Sequence, residues 1–203
     1  FNLPVVTIDA FGQRFFSDNI SSDENACGKL AAEYLLSKGH REICFLSGSP
    51  SPVELLPRYR SFREVLETHG VPMDKNSVFS WREKTSDGMC AALQDWLKTK
   101  SLPCACYCYN DNDAQILYEA AYALGLRIPE EISVIGTADL NFASVMVPKL
   151  TTIRQNGIEI GALAAHAILR RLNADGREHY KQISNVTLVE RDSVSDLKKK
   201  GRK

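Results

Sequence analysis

Tyr109-Asn110-Asp111-Asn112-Asp113 opens the stretch that decides the fold. An apolar-periodic run follows, then Gly125-Leu126-Arg127-Ile128-Pro129-Glu130-Glu131, then Ile132-Ser133-Val134-Ile135-Gly136-Thr137-Ala138-Asp139. Cys104 to Tyr109 is a short apolar run suited to a buried strand. The side chains of Asn110 and Asp111 can cap the first free N–H groups of a helix. Ala114, Leu117, Ala120, Ala121 and Leu124 recur at the spacing of one helix face. Gly125 can take the left-handed conformation that ends a helix, and Pro129 prevents its resumption. Ile132 to Ile135 is a second buried strand with Gly136 to Asp139 at its tip. The unit is therefore strand, helix, strand, which predicts parallel strands and a right-handed crossover. Ligands of such sheets bind beyond the carboxyl ends of the strands, where Asn110, Asp111 and Asp139 lie.

The same alternation extends in both directions. Pro4 to Ile8 is a strand ended by Asp9, and Phe11 to Ile20 is a connecting segment. Ser22 or Asp23 opens a helix with Ala26, Leu30, Ala31, Tyr34 and Leu35 on one face, closed by Gly39. Ile43 to Leu46 is a strand with Ser47-Gly48-Ser49-Pro50 at its tip. A helix from about Leu55 to His69, a short strand at Val78-Phe79 and a helix from Ser86 or Asp87 through Leu97 precede the central unit. After it come an extended Leu150 to Ile153, an amphipathic helix from Ile158 to Leu172, a last strand from Val186 to Val189 and a polar tail from Ser193. This order predicts an α/β, doubly wound parallel-sheet architecture. Its strand tips carry Asp9, then Ser47 and Ser49, then Asn110 and Asp111, then Asp139, which suits one small polar ligand.

Composition narrows the function classes. The chain has 203 residues, 44% of them hydrophobic, with 25 basic and 25 acidic residues. That is enough for a real core, and the balance suggests no nucleic-acid or membrane surface within these residues. No apolar run approaches the roughly 18 residues of a membrane span. The six cysteines at 27, 44, 90, 104, 106 and 108 lie in apolar patterns, and the residues from Phe1 on read as a strand-like segment in which no signal peptide is visible. Reduced, buried thiols in a cytoplasmic protein are expected. Cys104, Cys106 and Cys108 share one strand face about 6.6–7 Å apart per step. Sulfurs about a shared zinc must approach to under about 4 Å. Buried hydrophobes are therefore expected, with no metal and no cofactor. No phosphate loop, nucleophile elbow or His-Glu metal motif is present, which argues against an enzyme.

Five motifs in order resemble the lactose-repressor (LacI/GalR) family of transcriptional regulators. They are Lys38-Gly39-His40-Arg41-Glu42-Ile43, Arg58-Tyr59-Arg60-Ser61-Phe62, Asn110-Asp111, Gly125 through Gly136, and Pro148-Lys149-Leu150-Thr151-Thr152-Ile153-Arg154-Gln155. The resemblance implies a two-lobed, periplasmic-binding-protein-like (type I) fold with its N-terminal lobe incomplete. On that reading 1–21 belongs to the N-terminal lobe, 22–149 forms the C-terminal lobe, and 150–176 supplies an N-terminal-lobe helix. Residues 177–192 return to the C-terminal lobe, and 193–203 is a polar tail. Nothing here resembles the helix-turn-helix head of that family, so a portion of a longer regulator is expected, contacting DNA only through a domain outside these residues. A homodimer sensing a sugar-like effector is the implied assembly.

The resemblance also assigns residues. Arg58 matches an effector-contacting arginine, a rigid donor fork for paired hydroxyls; a surface arginine on an amphipathic helix would read the same. Arg58→Ala is expected to abolish effector-induced stabilisation and leave the melting temperature of the free protein nearly unchanged. Asp9 matches a ligand contact at a strand tip, where a plain turn residue is the alternative. For Asn110 and Asp111, capping and ligand contact compete. The family reads Gly-aromatic-Asp-Asp where this chain has Gly136-Thr137-Ala138-Asp139, so Asp139 alone remains and its side chain should point differently. Glu83 replaces an aromatic that stacks on the ligand, and Trp81 is the candidate substitute. Effector-linked lobe closure would alter the spacing of two DNA-binding heads. A solute-binding protein of a transport system, with the same lobes, is the alternative reading.

Overall fold

The computed structural model describes residues 3–9, 17–81, 86–173 and 180–200, with 86–88 and 200 described by their backbone alone. Glu83 and His179 lie outside the described residues, as do 10–16 of the expected connecting segment and the last three residues of the tail. The chain forms two compact units. The smaller comprises Phe1–Glu24 and Gln155–Val186, and the larger comprises Asn25–Arg154 and Thr187–Lys203.

The larger unit is built on a six-stranded sheet in the order β4 (Val78–Ser80), β3 (Ile43–Ser47), β5 (Cys104–Cys108), β6 (Ile132–Ala138), β7 (Thr151–Gln155), β9 (Val186–Val189). The pairs β4–β3, β3–β5, β5–β6 and β6–β7 are parallel. Every residue of β3 and β5 is buried, as a strand covered on both faces requires. Successive residues point to opposite faces. Phe45 and Tyr107 pack with Tyr59 and Phe62 in one layer, ring centroids 5.0–5.9 Å apart. Cys44, Leu46, Cys106 and Cys108 join Leu93, Leu117 and Val134 in the other.

The helices are α1 (Glu24–Ser37), α2 (Pro57–Thr68), α3 (Ser86–Leu97) and α4 (Asp111–Ala123). Pro57 begins α2, where its fixed φ suits a first turn. The central strand, helix, strand unit forms as its sequence pattern requires. Asn110 caps α4 through a 2.8 Å bond from the Asp113 N–H, and Gly125 follows the helix at φ +69°.

The smaller unit has a three-stranded parallel sheet, β1 (Val6–Ile8), β2 (Asp18–Ser22) and β8 (Lys181–Ser184), with α5 (Gly157–Leu172) against it. Ile20, Ile160 and Ala164 form its buried core. Asp18, 1% exposed, takes a two-pronged ion pair from Arg171 at 2.9 and 2.6 Å.

Three expectations change. Asp18–Ile20 is strand rather than connecting segment, and Lys181–Ser184 is a strand of the smaller unit rather than part of a return to the larger one. The boundary before α5 also moves: Thr151–Gln155 completes the larger sheet beside β6, so the larger unit extends through Arg154. The tail is not simply solvated. Ser193 Oγ donates to the Val134 carbonyl at 2.6 Å, and the Ser195 N–H donates to Ser133 Oγ at 2.9 Å. Both serines are buried, and His40 Nε2 lies 3.0 Å from the Ser195 carbonyl oxygen.

Candidate functional site

Parallel strands end at one edge, so their tips collect polar groups there without further design. In the larger unit this edge gathers Ser47 and Gly48 after β3, Trp81 after β4, Tyr109 to Asp111 after β5, and Ala138 and Asp139 at the end of β6. The structure thus brings Trp81, Asn110, Asp111 and Asp139 to one edge, with Arg58 reaching it from the first turn of α2. Asp9 belongs to the smaller unit. There, at φ 48°, its carboxylate accepts from the Ser22 N–H at 2.8 Å and its own N–H donates to the Ile20 carbonyl at 3.0 Å.

Most of these groups are committed within the protein. Arg58 is 5% exposed, donates to the Tyr109 carbonyl through Nη1, and places its guanidinium 4.2 Å from the Tyr109 ring centroid. The expectation that its removal leaves the free protein's stability unchanged is therefore revised, since both contacts would be lost. Asp111 is fully buried. Its Oδ1 accepts from Thr152 Oγ1 at 2.6 Å and its Oδ2 from the Leu140 N–H at 2.7 Å, which ties the start of α4 to the segment after β6 and to the first residues of β7. Burial raises its pKa, and the Thr152 and Leu140 bonds lower it only in part.

Asp139 is likewise taken up, at φ 55° next to Ala138 at φ 116°. Arg191 Nη2 lies 2.6 Å from its Oδ1 and Arg154 Nε 2.6 Å from its Oδ2. Burial pushes its pKa up, but the two arginines outweigh this and hold it below the usual carboxylate value. From the sequence Asp139 is a candidate effector contact whose side chain should point differently from the family's; the structure places it between two cations. Ser47 Oγ accepts from the Ser49 N–H at 3.1 Å, and Ser49 Oγ from the Ser51 N–H at 3.2 Å, so both serines shape their own loop.

Two groups remain open. Asn110 spends its amide oxygen on the Asp113 N–H, and its amide nitrogen makes no hydrogen bond among the described residues. Trp81 is 9% exposed, donates its backbone N–H to the Ser47 carbonyl at 3.1 Å, and sets its ring against Phe79 and over Gly48. Sequence reasoning missed Asp113, Thr152, Arg154 and Arg191 as parts of this edge. Asp113 lies three residues after the cap, where an acid is ordinary in a first helical turn, and that hid it. Thr152 and Arg154 stood only as parts of a motif, with no role attached, and Arg191 carried no local signal.

Cys27, Cys44, Cys104, Cys106 and Cys108 are buried, and Cys90 is partly buried. Cys106 has Cys104 and Cys44 as thiol neighbours, and these with burial push its pKa up. No group of His, Cys, Asp or Glu among the described residues is arranged to hold a metal ion.

A parallel α/β sheet with a polar carboxyl edge defines a ligand-binding domain of the periplasmic-binding class. A family model described as "Periplasmic binding protein-like domain" matches residues 32–194, and the chain belongs to that family. It is 30% identical to a transcriptional repressor called PurR of Vibrio cholerae, over 98% of this chain and 59% of that protein. It is 27% identical to the ribose operon repressor of Haemophilus influenzae, over 97% of this chain and 59% of that protein. The chain thus spans under two thirds of the length of these relatives. A LacI-family regulator from Enterococcus faecium, solved with bound ribose, superposes with a TM-score of 0.81 at 26% identity, covering 95% of this chain and 71% of that one.

Proposed function

We propose that this chain is the effector-binding portion of a DNA-binding transcriptional regulator, sensing a small polar ligand of the sugar class. The observation that carries the reading is the strand-tip edge of the larger unit, where an aromatic ring, an amide donor and a buried arginine converge. Its support is the family membership, together with relatives that are repressors and a ribose-bound structural neighbour. The repressors named above favour this reading over the transport alternative.

An effector acts by differential affinity. It shifts the regulator toward whichever arrangement it binds more tightly, and only by that difference. Occupation of the edge would thereby change operator affinity, through DNA-binding heads outside these residues and a dimer that sets half-site spacing. A cytoplasmic location and a homodimer are parts of the same proposal. Among the described residues no helix is long and apolar enough to cross a membrane.

The test is a thermal-shift screen of the purified chain against monosaccharides, D-ribose first, followed by a gel-shift assay of the full-length regulator on the promoter of its own gene. A sugar that raises the melting temperature and alters the gel shift supports the reading. Stabilisation without any effect on DNA binding favours the transport alternative.

A further inference from the structure

Asp113 is the acid of this edge whose hydrogen-bonding capacity the protein leaves half used. It is 5% exposed. Its Oδ2 accepts from the Gly48 N–H at 2.9 Å, while its Oδ1 takes no hydrogen bond among the described residues. Asp111 and Asp139, by contrast, have partners on both oxygens, and Ala138 brings no polar side chain at all.

A carboxylate in that condition works against the fold. Burial pushes its pKa up to about 6, with the Gly48 N–H and the charge of Arg58 offsetting only part of the effect. An amide would keep the Gly48 bond without the buried charge. Strain of this kind that a simple substitution could relieve tends to mark a functional group.

The open oxygen lies against Gly48, beside the Trp81 ring. A β-carbon at Gly48 would stand 2.8 Å from Asp113 Oδ1 and 2.9 Å from Trp81 Cζ2. Position 48 therefore has no room for a side chain, because the carboxylate oxygen and the indole close in on it from two sides. Asn110, which caps the same helix, carries an amide nitrogen with no hydrogen bond among the described residues. Acceptor, donor and aromatic face together suit a ring that bears hydroxyls on its rim and C–H bonds on its face.

We propose that Asp113 Oδ1 selects the effector, accepting from an O–H or N–H donor of an uncharged or amino sugar and rejecting a sugar acid or sugar phosphate at that position. The inference rests on the reading of this edge as an effector site. A donor aimed at an ionised oxygen makes a charge-assisted bond, whereas an anionic substituent would set like charge against a buried carboxylate.

The experiment uses matched probes on the wild-type chain and on Asp113→Asn. The probes are D-glucose, D-glucosamine and D-glucuronate; D-galactose, D-galactosamine and D-galacturonate; and D-ribose with D-ribose 5-phosphate. Thermal shift ranks them and calorimetry gives the Kd of the best. The neutral or amino member of one series should bind best, its anionic counterpart at least tenfold more weakly. Asp113→Asn should weaken the best binder at least tenfold while melting at or above the wild-type temperature. An anionic probe that binds best overturns the proposal, as does a mutant affinity within twofold of wild type. A mutant that melts well below wild type also overturns it, because Asp113 would then be a structural clasp for Gly48. If no probe shifts the wild type, the sugar-effector reading itself fails and the proposal falls with it. That outcome is distinguished by the silence of the wild-type protein.

Discussion

Two acids on one strand-tip edge illustrate how surroundings assign roles to the same side chain. Asp139 sits between cations and Asp113 is buried with one oxygen open, so their protonation should act on stability in opposite directions. The folded pKa of Asp113, about 6, lies above its ordinary value of 3.8, so the folded chain holds that proton more tightly than the unfolded chain. Its ionisation therefore opposes folding, fully above pH 6 and progressively less toward pH 4. Chemical denaturation across this range should show Asp113→Asn more stable than wild type at neutral pH, with the advantage vanishing near pH 4. Asp139 has a lowered pKa, so its contribution is present above its ordinary value and is lost as pH falls through the folded one. Asp139→Asn should accordingly destabilise at pH 7 and converge on wild type in acid. Its two arginines should not count equally. Arg191 has a side chain 15% exposed and also donates to the Leu150 carbonyl at 2.7 Å, whereas the Arg154 side chain is 54% exposed. Urea titration should show Arg191→Ala costing about 1–3 kcal/mol and Arg154→Ala well under about 1.

At the scale of elements, α1 and α2 approach closely enough that only glycine fits between them. A β-carbon at Gly28 would lie 2.0 Å from the Arg58 carbonyl oxygen and 2.2 Å from Ser61 Oγ. Gly28→Ala should push the helices apart, destabilise the chain by about 1–3 kcal/mol in urea, and disturb Arg58 with it. Nothing in the sequence marked Gly28, because a close approach between helices leaves no local pattern. The central strand, helix, strand unit was legible for the opposite reason. Its apolar period, its Asn110 cap and its Gly125 end are all local, and the structure keeps them at the expected residues. β2 was illegible because Asp18-Asn19-Ile20-Ser21-Ser22 reads as polar. It is nonetheless buried, since the charge of Asp18 is met by Arg171, far away in sequence. The candidate site was legible in part. Strand-tip logic found where the polar groups gather, but not which carboxylate has a partner, because Arg154 and Arg191 reach Asp139 from other elements.

For the whole molecule, the two units should differ in resilience. The larger has a two-layered core around fully buried strands, whereas the core of the smaller rests on Ile20, Ile160 and Ala164. In the smaller unit Ile158, Leu169, Leu172 and Ile183 are more than half exposed. Opening free energies follow the apolar contacts that must be broken. Native-state hydrogen exchange should therefore find amides of β1, β2 and β8 exchanging well before those of β5 and β6. Neither unit is a continuous stretch of chain, and each draws on the final segment. β8 pairs with β2 in one, while β9, Ser193 and Ser195 complete the other. A ribosome that has translated as far as residue 179 has finished neither unit. Every product cut short before that point exposes two incomplete sheets at once, so a late stop codon yields a substrate for chaperones and proteases rather than a half-working sensor.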